Sequence, residues 1–141
     1  MKWYELAENP LAVSEIYSEV PSLQSVRLVE VLLLRDGRRM TVKIEMPHFP
    51  DKIPKRWKLQ GYTSIQIQLD FWDLQSLDIV QWSSEDQVDM QIEVRAERRI
   101  EVKVRSSQYR IQATAHDFRI TLHKKAVLRR KVQRNAMAPI N

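Results

Sequence analysis

The alternation of apolar and polar residues with a period of two is the feature that most constrains what this chain can fold into. It begins at Val26 and recurs as far as Leu122. Because successive side chains of a β-strand point to opposite faces, this period predicts antiparallel strands with one buried face. The later inward sets are Ile65, Ile67, Leu69 and Phe71; Leu77 and Ile79; Val88, Met90, Ile92 and Val94; Ile100, Val102 and Val104; Ile111, Ala113 and Ala115; and Phe118, Ile120 and Leu122.

The first hairpin has a different pattern on each strand. Residues 26–34 are apolar at both alternating positions, so we expect a central strand that is covered on both faces. Asp36-Gly37 follows and predicts a two-residue type I′ turn, which needs positive φ at both central positions. The return strand then places Met40, Val42, Ile44 and Met46 inward.

Residues 9–19 predict the one helix of the chain. Asn9 suits the N-cap and Pro10 the first helical position. The apolar residues that share one helical face are Leu11, Ile16 and Tyr17. One short helix cannot cover so many inward strand residues, so the sheet must curl on itself. The predicted fold is α+β and mainly β, with the N-terminal helix packed on a curled antiparallel β-meander of seven to eight strands, as a half-barrel or a sandwich.

The length and the charge distribution predict one domain with a tail. A chain of 141 residues matches the usual size of a single domain, and we place that domain at residues 1–128 and a basic, mobile tail at 129–141. The net charge is +5, but the rest of the chain holds only 17 basic residues against 18 acidic ones once the C-terminal cluster is set aside. That cluster consists of Lys124, Lys125, Arg129, Arg130, Lys131 and Arg134. Nucleic-acid binding is therefore not expected except through these residues, whose alternative role is to keep the protein in solution.

No motif in the sequence indicates catalysis, a metal or a cofactor. There is no cysteine, and the three histidines (His48, His116 and His123) lack the spacing of a metal or triad motif. With only two glycines, a phosphate-binding loop is excluded. The N-terminus lacks the apolar stretch of a signal peptide, and the longest apolar run, residues 31–34, is too short to span a membrane. We expect a cytoplasmic protein that is not an enzyme.

The middle of the chain carries prolines and tryptophans that predict a contact surface. Three prolines within residues 47–57 predict a stiff loop, and an aromatic side chain on such a loop loses little entropy on binding. Phe49 and Trp57 on this loop, and Trp82 at the sheet edge, are the candidate partner-binding residues. Trp72 and Trp82 also follow apolar strands directly, and that position favours a place in the core.

Several of these features together resemble the immunity protein 50 family of bacterial polymorphic toxin systems. They span residues 2–105: Trp3-Tyr4 with Asn9-Pro10, the segment from Val20 to Leu28, the hairpin at Asp36-Gly37, Met46-Pro47, Phe49-Pro50, Pro54, Lys55, Trp57, the run IQIQLDFWDLQSLDI from Ile65, and Trp82. The resemblance implies a cytoplasmic, non-enzymatic inhibitor that binds and neutralises a cognate toxin domain. The strongly basic tail departs from this pattern.

Two other functions are compatible with the residues alone. A curled sheet with an apolar interior could carry a small hydrophobic ligand, which requires an internal cavity. The basic tail could instead make the protein an RNA-binding accessory factor, and binding would then weaken steeply with salt. Neither the oligomeric state nor the identity of a toxin follows from the sequence.

Overall fold

The computed structural model describes residues 2–62 and 64–125. A 3₁₀ helix at Trp3–Leu6 comes first, and two short α-helices follow, α1 at Leu11–Ser14 and α2 at Lys55–Leu59. The eight strands are β1 (Val26–Leu34), β2 (Arg39–Glu45), β3 (Ser64–Trp72), β4 (Ser76–Val80), β5 (Gln87–Val94), β6 (Ile100–Arg105), β7 (Arg110–Ala115) and β8 (Asp117–Lys125).

All eight strands join in one antiparallel sheet, in the order β4-β7-β6-β5-β1-β2-β3-β8. The predicted class, mainly β with few helices, is confirmed, and the sheet is not closed into a barrel. It consists of two three-stranded meanders, β1-β2-β3 and β5-β6-β7, with β4 and β8 as the outer strands. The two meanders meet at β1 and β5, whose pairing is limited to Val26 with Val88 and Arg27 with Gln87.

One long, bent ladder connects the two halves of the sheet. β3 pairs with β8 along its whole length, and β4 pairs with β7 after only a three-residue interruption. At the bend, residues 73–75 face residues 115–116, and Asp73 has a positive φ of 54°. An extra residue on one strand is a bulge, which bends the strand and increases its twist. The bend directs the inner face of the β5-β6-β7 half towards the inner face of the β1-β2-β3 half.

The core fills the space between the inner faces of the two halves. Phe71 and Phe118 face each other across β3 and β8, are fully buried, and stack with ring centroids 5.2 Å apart. Most of the predicted inward residues of the later strands are buried. Leu77, Ile79 and Val94 are exposed instead, and Leu122 is only partly buried. Val13, Ile16 and Tyr17 of the N-terminal segment complete the core.

The helix predicted over residues 9–19 is much shorter than expected. Only Leu11–Ser14 is α-helical, and Pro10 occupies the N-cap position. Asn9 does not cap the helix, because its side chain bonds the backbone of β8 instead: Nδ2 donates to the carbonyl of Ile120, and Oδ1 accepts from its N–H, both at 2.8 Å. The Asn9 side chain therefore satisfies backbone groups of β8 and not those of the helix.

Two predictions for the first hairpin were wrong. β1 lies inside the strand order, as predicted, but it is not covered on both faces, because most of its side chains are exposed. Beyond Arg27, no described strand pairs with its outer edge. The turn is not a two-residue one either. Leu34 pairs with Arg39, so residues 35–38 form the loop, and positive φ falls at Gly37 (76°) and Arg38 (44°), not at Asp36.

Part of the predicted organisation lies outside the described residues. This applies to the domain boundary after residue 128 and to Arg129, Arg130, Lys131 and Arg134. Within the described part of the chain, none of the helices has the length and apolar character needed to cross a lipid bilayer.

Candidate partner-binding surface

The proline segment, residues 47–57, is held against the N-terminal part of the chain. Three hydrogen bonds join residues 48–52 to residues 16–18. They run from the Tyr17 hydroxyl to the His48 carbonyl (2.8 Å), from the Ser18 N–H to Asp51 Oδ1 (2.8 Å), and from the Lys52 N–H to the Ile16 carbonyl (2.9 Å). Burial, reinforced by the charge of Asp51, raises the pKa of Tyr17 to about 12, so this hydroxyl stays a donor. The segment is therefore pre-ordered, as a binding loop would require.

Phe49 and Trp57 lie in this segment but are only partly available to a partner. Both side chains are half-buried, and Trp57, which lies in α2, packs against the core. The Lys124 ammonium lies 4.8 Å from the centre of a Trp57 ring. The Trp57 Nε1–H makes no hydrogen bond within the described residues. Trp57 thus links α2 to β8 through its contact with Lys124, and only part of its ring is exposed to solvent.

Trp82 is the most exposed of the three predicted contact residues. It follows β4, and 65% of its surface is open to solvent. Its ring lies against Tyr109 with centroids 5.7 Å apart, and the Tyr109 hydroxyl donates to the Glu85 carbonyl at 2.8 Å. The interpretation of Trp82 as a core residue was wrong, and Trp72 is likewise 37% exposed, with the Arg39 guanidinium 4.7 Å from its ring.

The fold does not bring these predicted residues together. Trp57 lies at the end of the long ladder where Ser64 pairs with Lys125, through its contact with Lys124. Trp82 lies beyond the opposite end, where Val80 pairs with Arg110. Trp57 and Trp82 therefore mark two separate places on the surface.

A further surface, which the sequence analysis missed, lies between the unpaired edges of β1 and β4. We call it the seam and define it by Val29, Leu32, Leu33 and Leu34 of β1 and Leu77, Ile79 and Val80 of β4, all of them exposed apolar residues. At one end of the seam the two strands line a groove of about 440 Å³. The nine residues lining it are Leu33, Leu34, Arg35, Arg38, Arg39, Leu74, Gln75, Ser76 and Leu77.

The sequence contained a signal for the seam that admits two interpretations. Apolar residues on both alternating faces of β1 are typical of a strand covered on both faces, and they are equally typical of an apolar surface that a partner covers. Leu77 and Ile79 gave no signal of their own, because they alternate with polar residues as any half-buried strand does. Only the pairing of the strands shows that β4 is an edge strand and that β1 is unpaired on one side beyond Arg27.

The described residues contain no group of three or more histidine, aspartate or glutamate side chains positioned to hold a metal ion. His123 is bound through Nε2 to the side chain of Gln68, at 2.9 Å. A second groove, of about 590 Å³, lies between the 3₁₀ helix and residues 19–22, with Trp3, Tyr4 and His48 among its lining residues.

Comparison with known protein families shows which family the chain belongs to. The sequence model for immunity protein 50 matches residues 9–124 of the 141. The chain belongs to the immunity protein 50 family. No curated protein and no solved structure gives a significant match to the chain. The immunity protein 50 match covers the proline segment, the seam and Trp82, and it ends before Arg129, Arg130, Lys131 and Arg134.

Proposed function

We propose that this chain is a non-enzymatic immunity protein, which neutralises a cognate bacterial toxin domain in the cytoplasm by binding it. Membership of the immunity protein 50 family supports the general role. The observation that carries the proposal is the concentration of exposed large apolar side chains on the edge strand β4 and on the part of β1 that lies beyond its short pairing with β5. Exposed apolar side chains on unpaired strand edges are typical of protein-interaction sites.

The alternatives have less support. A carrier for a small hydrophobic ligand would need an enclosed lumen, but the sheet is not closed into a barrel. An RNA-binding role would depend on the C-terminal cluster, of which only Lys124 has a described side chain, and that side chain is engaged with the rings of Trp57 and Tyr62. Within the proposed function, Trp82 is the best of the three predicted contact residues, because exposed tryptophan is enriched at binding hot spots.

The test is a titration of the toxin domain encoded beside this chain. We expect the purified chain to form a complex with it, measured by light scattering after size exclusion, and to abolish its activity at one equivalent. A stoichiometric end point separates inhibition by binding from enzymatic inactivation, which would proceed with much less than one equivalent. Full toxin activity in the presence of excess chain, with no complex, would overturn the proposal.

A further inference from the structure

The seam leaves part of the core face of the sheet uncovered. Residues directly opposite each other in an antiparallel pair share a face. Leu33 is opposite Met40, Leu77 is opposite Ala113, and Ile79 is opposite Ile111; Met40, Ala113 and Ile111 are buried. Yet Leu33 is 49% exposed, and Leu77 and Ile79 are each 39% exposed. Leu33, Leu77 and Ile79 therefore lie on the same face of the sheet as core residues, but no neighbouring strand covers them.

The course of the chain places the end of β1 near the start of β4, and the connection after β4 near the start of β1. The start of β4 lines the same groove as the end of β1. The connection after β4 then returns to the other end of β1, where the Leu28 N–H donates to the Asp86 carbonyl at 2.6 Å. β1 and β4 therefore run in opposite directions on the two sides of the opening, and no described strand pairs with either edge there.

The outer edge of β8, unlike those of β1 and β4, is covered by hydrogen bonds from the N-terminal part of the chain. Along β8, Asn9 bonds both backbone groups of Ile120, and the Glu8 N–H donates to the Phe118 carbonyl at 2.9 Å. Covering an edge in this way blocks the addition of another strand. The described residues place no such cover on β1 from Val29 to Leu34 or on β4.

The charge of the groove defines the chemistry of its occupant. Arg35, Arg38 and Arg39 line it and no acidic residue does. Arg38 is ion-paired with Asp73 and Arg39 lies over Trp72, while Arg35 has no ion pair within the described residues. Acidic side chains next to apolar ones would complement this lining. The chain's own residues 126–141 carry the same positive charge as the groove and are therefore disfavoured as its occupant.

We infer that the seam receives an extended segment of the toxin domain that alternates apolar and acidic side chains; this inference rests on the proposed function. The segment adds to the free edge of β1 through backbone hydrogen bonds, as peptides do at exposed sheet edges. Its apolar side chains cover Leu33, Leu77 and Ile79, and its acidic side chains reach Arg35 and its neighbours.

The test measures affinity of the full-length chain for the neighbouring toxin domain, with single charge substitutions. Leu33→Glu and Leu77→Glu should each weaken binding by about 30-fold or more, the loss typical of a hot-spot residue. Val94→Glu is the matched control, because Val94 is 50% exposed but lies at the end of β5, outside the seam. Arg35→Glu, on the exposed turn, should weaken binding without affecting the core. Arg98→Glu, at an exposed residue between β5 and β6, should not weaken it.

Hydrogen exchange provides the second measurement. In the complex, amides of residues 29–34 should exchange more slowly than in the free chain, because a new strand protects them. If the wild-type chain binds the toxin but the seam variants bind equally well, the seam is not the interface and this inference alone fails. If the wild type does not bind at all, the proposed function itself fails. A wild-type dimer that Leu33→Glu dissociates would assign the seam to a second copy and overturn the inference.

Discussion

At the scale of single residues, Glu101 shows how a charged group is accommodated at a buried position. Its side chain is almost fully covered, on β6. Arg95 donates to Oε1 from Nη2 at 2.5 Å and from Nε at 2.9 Å, and Gln112 donates to Oε2 at 3.2 Å. These charge-assisted bonds offset the desolvation of the carboxylate and lower its pKa, with the bond from Arg95 as the largest cause.

The Glu101 pKa predicts how stability changes with pH. Because the pKa in the folded state lies below its usual value of 4.5, the carboxylate contributes stability above that pH. The contribution is lost as the pH falls through the lowered folded pKa. Glu101→Gln should cost about 1–3 kcal/mol near pH 7 and flatten the acid part of the profile, measured by urea unfolding from pH 3 to 7.

Glu93→Gln is the control for that series. Glu93 lies opposite Glu101 on β5 and also approaches Arg95, but at 4.0 Å and with more than half of its side chain exposed. Its substitution should change stability by much less, since exposed ion pairs contribute little. Equal effects of the two substitutions would contradict the role assigned to Glu101.

At the scale of elements, the three sheet edges are distinguished by what covers them. β8 is covered by Glu8 and Asn9, whereas β1 and β4 carry exposed apolar side chains on edges that no described strand pairs with. Open apolar edges invite association, so proteins usually block those that have no partner. The unblocked pair is therefore the part of the sheet best suited to an intermolecular contact.

Asn9→Ala tests the cover on β8. The substitution removes both side-chain bonds to the backbone of Ile120 and should lower the free energy of unfolding by about 1–3 kcal/mol, at about 0.5–1.5 kcal/mol per bond. Exchange of the Ile120 amide, measured by NMR, should accelerate more than that of Ile67 on the neighbouring strand. Asn9→Asp, which keeps the acceptor Oδ1, should restore part of that protection. An unchanged Ile120 amide would show that the contact does not protect the edge.

At the scale of the whole molecule, both halves of the sheet depend on one core. The long ladder passes from one half to the other, and its bend lies next to the stacked pair Phe71 and Phe118. We therefore expect the described strands to unfold in one cooperative transition, as small single-core domains usually do.

Phe118→Ala tests this dependence. Loss of a fully buried phenylalanine from a packed core costs about 3–5 kcal/mol, a large part of the total stability of a small domain. Circular dichroism and tryptophan fluorescence should report the same lowered midpoint in denaturant. Phe49→Ala, at a half-buried position, is the matched control and should cost clearly less. Separate transitions for the two probes would contradict a single shared core.

The alternating pattern by itself determined the strands, their inward faces and the antiparallel class, because a period of two reflects local backbone geometry. The sequence also indicated the family resemblance, through tryptophans and prolines at particular positions. The extent of the helix near Asn9, the exposure of Leu33 and Trp82, and the seam were decided by the tertiary structure alone. The period shows which face a side chain is on, but not whether another strand lies beyond it. That depends on pairing between distant residues, such as Arg27 with Gln87, which ends where β1 leaves β5 and becomes an open edge.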